Sequence, residues 1–63
     1  MNRQELTKHL TESARVEWSF FYNMGIAFIW FDGRKYMAMA DSEQQAIEDA
    51  VGSALRSIES EAK

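Results

Sequence analysis

The chain has 63 residues, no cysteine and no proline, and its formal net charge at pH 7 is −3. This length allows one domain, residues 1–63, close to the lower size limit for folding without a disulfide or a metal. Because the longest apolar run, residues 25–31, is too short to span a bilayer, we expect a soluble, cytoplasmic protein without membrane contact.

A short first helix is predicted over residues 2–13. Asn2 is a suitable N-cap, and Glu5, three residues further on, is the matching residue of a capping box. His9 has no second histidine or cysteine at ligand spacing, so we interpret it as a solvent-exposed helix residue. The apolar stripe that would dock this helix is narrow and has a spacing of four residues: Leu6, Leu10 and Ala14.

Three strands in a meander are predicted next. Residues 15–22 alternate between polar and large apolar side chains, and residues 23–25, Asn-Met-Gly, suit a three-residue hairpin loop. The Asp32-Gly33 dipeptide between two apolar runs predicts a second, tight hairpin. The two registers allowed by this turn divide the side chains between the same two faces. One face carries Ile26, Phe28, Trp30, Met37 and Met39, and the other carries Ala27, Ile29, Phe31, Tyr36, Ala38 and Ala40.

We expect the first of these faces to be the core face, because the predicted loop would place Trp18 opposite Trp30 and Phe20 opposite Phe28. Such cross-strand aromatic pairs stabilise a sheet. The core would then consist of the largest side chains on this face and on the second helix, namely Trp18, Phe28, Trp30, Val51, Leu55 and Ile58.

The second helix begins after Ser42, which is a suitable N-cap with Gln45 at the third position. Gly52 interrupts it, and we interpret this glycine as a point of close packing against a neighbouring helix or the sheet. The apolar stripe of the helix continues for nearly five turns through Ala46, Ile47, Ala50, Val51, Ala54, Leu55, Ile58 and Ala62. The predicted fold is therefore α+β, in the order α-β-β-β-α, with a three-stranded antiparallel meander sheet and both helices packed on one face.

The second face of the sheet is the predicted interaction surface, because both helices are needed elsewhere. An apolar surface with a charged border indicates association with a protein partner or with a second copy of the chain. An alternative is that one helix crosses to this face and covers it. The candidate partner-binding residues are Phe21, Ile29, Phe31, Tyr36, Arg34 and Met24.

No catalytic, cofactor-binding or metal-binding residue is predicted. The sequence contains no glycine-rich phosphate loop and no nucleophile motif, so we expect a protein that is not an enzyme. Residues 41–63 carry six acidic and two basic side chains, which disfavours nucleic acid as the partner. We interpret Glu43, Glu48 and Asp49 as a solvated helix face, with an acidic docking ridge as the alternative.

The element order is similar to that of double-stranded-RNA-binding domains. That family binds phosphates through lysines at the start of its second helix, where this chain has residues 41–45, DSEQQ. The RNA-binding activity is therefore not implied. Residues 30–36, WFDGRKY, followed by 40–47, ADSEQQAI, also resemble small phage and prophage proteins in which a DG hairpin leads into a D-S/T-x-x-x-A-I helix start. This resemblance covers residues 16–55 and implies an accessory protein that inhibits a macromolecule by binding it.

The favoured interpretation is a non-enzymatic protein-binding module, encoded by a phage, that inhibits or modulates a host protein by direct contact. One alternative is a nucleic-acid binder that stacks bases on aromatic side chains of the sheet. Its residues would be Phe21, Phe31 and Tyr36, with Arg15, Arg34 and Lys35 beside them. A third possibility is an acidic mimic of DNA, for which six carboxylates on one segment are few.

Overall fold

A computed structural model of the chain describes residues 2–61. The three strands form one antiparallel sheet in the order β1-β2-β3. The predicted fold class and element order are confirmed. Ala62, the last residue of the predicted apolar stripe, lies outside the described residues. The elements are α1 (Arg3–Ser13), β1 (Arg15–Ser19), β2 (Met24–Phe31), β3 (Arg34–Ala40) and α2 (Glu43–Glu61).

Both helices begin at the predicted caps. The Asn2 side chain accepts a hydrogen bond from the Glu5 backbone N–H at 2.8 Å, and the Ser42 hydroxyl accepts one from the Gln45 N–H at 3.1 Å. These bonds satisfy amide groups that have no partner within the first turn of a helix. One bond of the capping box of α1 differs from the usual pattern, in which the glutamate side chain accepts from the backbone N–H of the N-cap residue. Here the Glu5 carboxylate accepts from the Asn2 side-chain amide at 3.4 Å.

The second hairpin has the two-residue loop that its sequence predicts. Phe31 pairs with Arg34, and both loop residues have positive φ angles, 53° at Asp32 and 76° at Gly33. Two successive positive φ angles match the twist of the flanking strands. Of the two registers compatible with the sequence, the structure adopts the one with Asp32-Gly33 as the loop.

The first hairpin differs from the prediction. β1 ends at Ser19, which pairs with Met24, so the loop consists of residues 20–23. The Ser19 hydroxyl accepts a hydrogen bond from the Tyr22 N–H at 3.2 Å, and Asn23 has a φ of 56°. These two residues turn the chain before the predicted alternation is complete. Trp18 therefore lies opposite Gly25, and the predicted pairs of Trp18 with Trp30 and of Phe20 with Phe28 do not form.

The helices cover the face that was expected to stay open, and the predicted core face is wrong. Val51 and Leu55 are buried as expected and Ile58 is half-buried, but Trp30 is 58% exposed. Phe28 is half-buried on the side of the sheet away from the helices. The buried core consists of Leu10, Ala27, Ile29, Ala40, Ala46, Ala50, Val51, Ala54 and Leu55.

Small side chains explain this choice of face. Alanines on β2 and β3 lie against alanines of α2 in the core, so the helix axis can approach the sheet closely and pack at high density. At Gly25 a Cβ atom would lie 3.0 Å from both the N and Cα atoms of Glu43. The start of α2 therefore rests directly on the backbone of β2, and this contact fixes the helix on the face that carries Ala27 and Ala40.

Polar contacts fasten the helices at the other end of the molecule. The Arg3 guanidinium at the start of α1 pairs with Glu59 near the end of α2, so the two helices run antiparallel. Arg34 at the start of β3 pairs with Glu61. The result is two layers, and the Cα positions extend over 38, 17 and 16 Å along the principal axes.

Gly52 does not have the role that was expected. A Cβ atom at this position would meet only the Nη1 atom of Arg56 at 3.5 Å, an ordinary van der Waals distance. The interpretation of Gly52 as a close-packing site is therefore wrong, and α2 has room for a side chain here.

Candidate functional sites: the open sheet face and the aromatic loop

Three of the six predicted partner-binding residues lie beneath the helices, and a fourth, Arg34, is exposed but paired. Ile29 is fully buried, and Phe31 and Tyr36 pack against the core. The Arg34 guanidinium forms a salt bridge with Glu61. The Tyr36 hydroxyl donates a hydrogen bond to the Ser57 hydroxyl of α2 at 3.4 Å. The expectation that this face is uncovered is wrong, because both helices rather than one pack on it.

The remaining two predicted residues lie elsewhere. Phe21 belongs to the first hairpin loop and is 87% exposed. Met24 is the first residue of β2, points to the side away from the helices and is half-buried. Both stay candidates for partner contact, but they belong to two different surfaces.

The first surface is the side of the sheet that no helix covers, which we call the open face. Its rows follow from the strand register: Ser19 and Met24; Glu17, Ile26 and Met39; Arg15, Phe28 and Met37; and Trp30 with Lys35. The exposed fractions of Trp30, Met37 and Met39 are 58%, 54% and 38%. Large apolar side chains at adjacent positions of an exposed sheet are typical of an association surface.

A shallow depression of about 400 Å³ lies on the open face. The rings of Phe28 and Trp30 are stacked with centroids 6.1 Å apart and an angle of 25° between them. The Lys35 ammonium lies 5.8 Å from the centroid of Phe28, within the range of a cation–π contact. Arg15 and Glu17 also line the depression, so it presents two positive charges and one negative charge around two aromatic rings.

The second surface is the loop of residues 20–23, Phe-Phe-Tyr-Asn, which we call the aromatic loop. Phe20, Phe21 and Tyr22 are 89%, 87% and 61% exposed. The rings of Phe21 and Tyr22 meet edge to face at a centroid distance of 4.8 Å, which limits their side-chain freedom. Burying aromatic side chains of this size contributes about 1.5–3 kcal/mol each, and the chain itself does not obtain this energy.

The charged groups next to the aromatic loop are acidic. Glu17 lies two residues before the end of β1 at the loop. Asp41 follows Ala40, which pairs with Gly25 near the other end of the loop, and Glu43 rests on Gly25. The basic residues Arg34 and Lys35 lie at the opposite end of the sheet.

The predicted acidic ridge does not form a single surface. Glu43, Glu48 and Asp49 are exposed on α2, but their directions around the helix axis differ from one another by about 100–140°. Asp49 accepts a hydrogen bond from the Gln45 side-chain amide at 2.8 Å. A partner could therefore contact one or two of these carboxylates at a time.

Few other features of residues 2–61 indicate a ligand. His9 is exposed, as expected, and its ring meets Phe31 edge to face at 6.0 Å. A groove of about 290 Å³ runs between α1 and α2 and is lined partly by Val51 and Leu55. In this part of the chain no three acidic or histidine side chains converge as metal ligands would, and neither helix is long and apolar enough to cross a membrane.

The chain matches no protein-family model, no curated protein and no solved structure. The resemblance to small phage proteins stays a prediction from the residues that carry it.

Sequence reasoning missed the exposure of the open face and of residue Phe20. A signal for the loop was present, because Ser19 and Asn23 enclose the three aromatic residues and both types favour turns. A signal for the buried face was also present in the glycine and alanines that share it: Gly25, Ala27, Ala38 and Ala40.

Proposed function

We propose that the protein is a non-enzymatic binding module that inserts the aromatic loop into an apolar pocket of a protein partner. The observation that carries this proposal is the exposure of Phe20 and Phe21, 89% and 87%, at the tip of a hairpin. Interfaces between proteins are enriched in aromatic residues, and a few of these residues supply most of the binding energy.

The charges around the aromatic loop favour a particular kind of partner. Asp41 and Glu43 border it, so a pocket with lysine or arginine at its rim would be electrostatically complementary. The same charges would repel nucleic acid and anionic lipid. In line with the resemblance to phage proteins, we propose that binding blocks the partner's own activity, which makes this protein an inhibitor of a host protein.

A photocrosslinking amino acid at position 21 tests this function in a lysate of the cells that naturally produce the protein. We expect a crosslinked product that unlabelled wild type removes by competition and that a Phe20→Ser/Phe21→Ser variant does not remove. The matched control carries the crosslinker at position 12, where Glu12 is exposed on α1. Equal products from positions 21 and 12, or full competition by the double variant, would contradict the proposal.

A second candidate function is the binding of single-stranded nucleic acid on the open face. It is favoured by the stacked rings of Phe28 and Trp30 with Lys35 and Arg15 beside them, because aromatic platforms next to basic residues bind unpaired bases. Glu17 in the same depression and the net charge of −3 weigh against it. Of the three aromatic residues named for this function from the sequence, Phe31 and Tyr36 face the helices instead, and Phe21 lies in the aromatic loop.

Oligonucleotide titration separates the two candidates. A nucleic-acid binder would bind a labelled single strand at about 150 mM salt with a Kd of roughly 10⁻⁴–10⁻⁶ M or better. Trp30→Ala and Lys35→Ala would each weaken that affinity, while Lys8→Ala on the exposed side of α1 would not. We expect no such binding from the wild type.

A further inference from the structure

Two of the three charged residues of the open face, Glu17 and Lys35, lie diagonally across it from each other. Glu17 lies on β1 in the row that contains Ile26 and Met39, whereas Lys35 lies on β3 next to Trp30. β1 and β3 are the two outer strands, and these two rows lie on either side of the row that contains Phe28. Glu17 and Lys35 therefore lie at the two ends of one diagonal, with Phe28 between them at the centre.

We propose that the open face binds the open face of a second copy, forming a two-fold symmetric dimer in which Glu17 of each copy pairs with Lys35 of the other. A two-fold axis between the faces, perpendicular to the line from Glu17 to Lys35, exchanges these two positions. The strands of the two copies then cross at nearly a right angle, one of the two common arrangements of packed sheets. The proposal goes beyond the target-binding function, because the aromatic loop is not part of this contact.

The same axis brings complementary side chains together over the whole face. Phe28 lies at the centre and meets its own counterpart, and Ile26 meets Met37 of the other copy. Arg15 comes opposite the ring of Trp30, an arrangement that suits a cation–π contact. Every charged residue of the open face thus acquires a partner, which a surface needs if its charges are to lose contact with water.

Alignment of the two sheets about an axis parallel to the strands leaves charges unpaired. If the strands of both copies were aligned, β1 would lie across from β3, and Glu17 would face Met39 while Arg15 faced Met37. A buried carboxylate without a partner is strongly unfavourable. The charge pattern therefore favours the crossed arrangement over this aligned one.

A standard interface buries about 800 Å² of each partner, which is about a sixth of the 4612 Å² surface of this chain. The open face offers exposed apolar side chains toward this area. Three of its apolar side chains, Trp30, Met37 and Met39, are between 38% and 58% exposed in the single chain.

Charge reversal tests the pairing directly. Sedimentation equilibrium at about 150 mM salt would compare wild type, Glu17→Lys, Lys35→Glu and the double variant Glu17→Lys/Lys35→Glu. Each single change places like charges opposite one another twice per dimer, so we expect the dimer to weaken at least about tenfold. The double variant restores opposite charges and should dimerise within a few-fold of wild type. Glu48→Lys, an exposed position on α2, is the control and should leave dimerisation unchanged.

Several outcomes would overturn the dimer. One is a wild type that stays monomeric up to about millimolar concentration, and another is a double variant no better than the single variants. A third is salt-sensitive oligonucleotide binding by wild type that Lys35→Glu abolishes, which would assign the open face to nucleic acid. Circular dichroism on every variant confirms that the exposed substitutions leave the fold intact. None of these outcomes changes the crosslinking result expected from the aromatic loop, so the two proposals fail separately.

Discussion

At Gly25 the backbone of β2 passes beneath the first residue of α2 with no space for a side chain. A Cβ atom would lie 3.0 Å from the N and Cα atoms of Glu43, and neither backbone atom can rotate away. We therefore predict that Gly25→Ala lowers the free energy of unfolding by about 1–3 kcal/mol, the usual cost of overpacking. Urea unfolding followed by circular dichroism measures this loss, and an unchanged midpoint would show that α2 does not rest on this strand.

At Gly52 on α2, in contrast to Gly25, there is space for a side chain. A Cβ atom there would make only an ordinary contact with the Arg56 side chain, so alanine brings better helix propensity without a steric penalty. We predict that Gly52→Ala raises the free energy of unfolding by about 0.5–1 kcal/mol. The same urea unfolding experiment measures this gain in the free energy of unfolding, with Ser53→Ala as the control at the neighbouring position. A loss of stability would mean that the groove between α1 and α2 needs this glycine.

At the scale of the elements, the assignment of the buried face leads to a paired prediction. Ile29 is fully buried beneath the helices, whereas Met37 on the open face is 54% exposed. Ile29→Ala and Leu55→Ala should each cost about 2–5 kcal/mol, and Met37→Ala should stay within about 0.5 kcal/mol at protein concentrations too low for association. If Met37→Ala proved as costly as Ile29→Ala, the two faces of the sheet would be assigned wrongly.

The elements themselves could be predicted because each has a local signal. The caps at Asn2 and Ser42 and the Asp32-Gly33 turn depend on residues a few positions apart, and the structure confirms all three. The choice of buried face depends on contacts between distant parts of the chain. Both sides of the sheet are apolar, so periodicity separates the two sets of side chains without saying which set is inside.

Large residues on one side of the sheet suggested a core there, but the helix required small ones. The stripe of α2 contains three buried alanines, Ala46, Ala50 and Ala54, and matches a sheet face that is itself rich in alanine. The prediction of the first hairpin loop was wrong for a related reason, because the alternation of apolar residues continues past Ser19 into the loop. A hydrogen bond from the Tyr22 N–H to the Ser19 hydroxyl ends the strand there, and period-two alternation carries no information about that bond.

At the scale of the whole molecule, the large exposed apolar groups of residues 2–61 are divided between two sites. The aromatic loop lies at one end of the sheet with acidic neighbours, and the open face lies opposite the helices with Glu17 and Lys35 at the ends of a diagonal. A dimer formed through the open faces leaves both aromatic loops free. Two loops in one particle could engage two copies of a partner, and such bivalent binding strengthens the overall affinity if the geometry permits it.

Association through the open face would also make the stability of the chain depend on its concentration. Dimerisation stabilises the folded state by mass action, and each tenfold rise in concentration above the Kd adds about 1.4 kcal/mol per mole of dimer. For a domain of this size, we predict that the Tm of the wild type rises by several degrees for each tenfold increase. Phe20→Ser/Phe21→Ser should keep this dependence, because the aromatic loop lies outside the contact. Glu17→Lys should lose most of it while retaining the Tm of the dilute wild type. A wild-type Tm that is constant from micromolar to near-millimolar concentration would show that the open face does not bind a second copy.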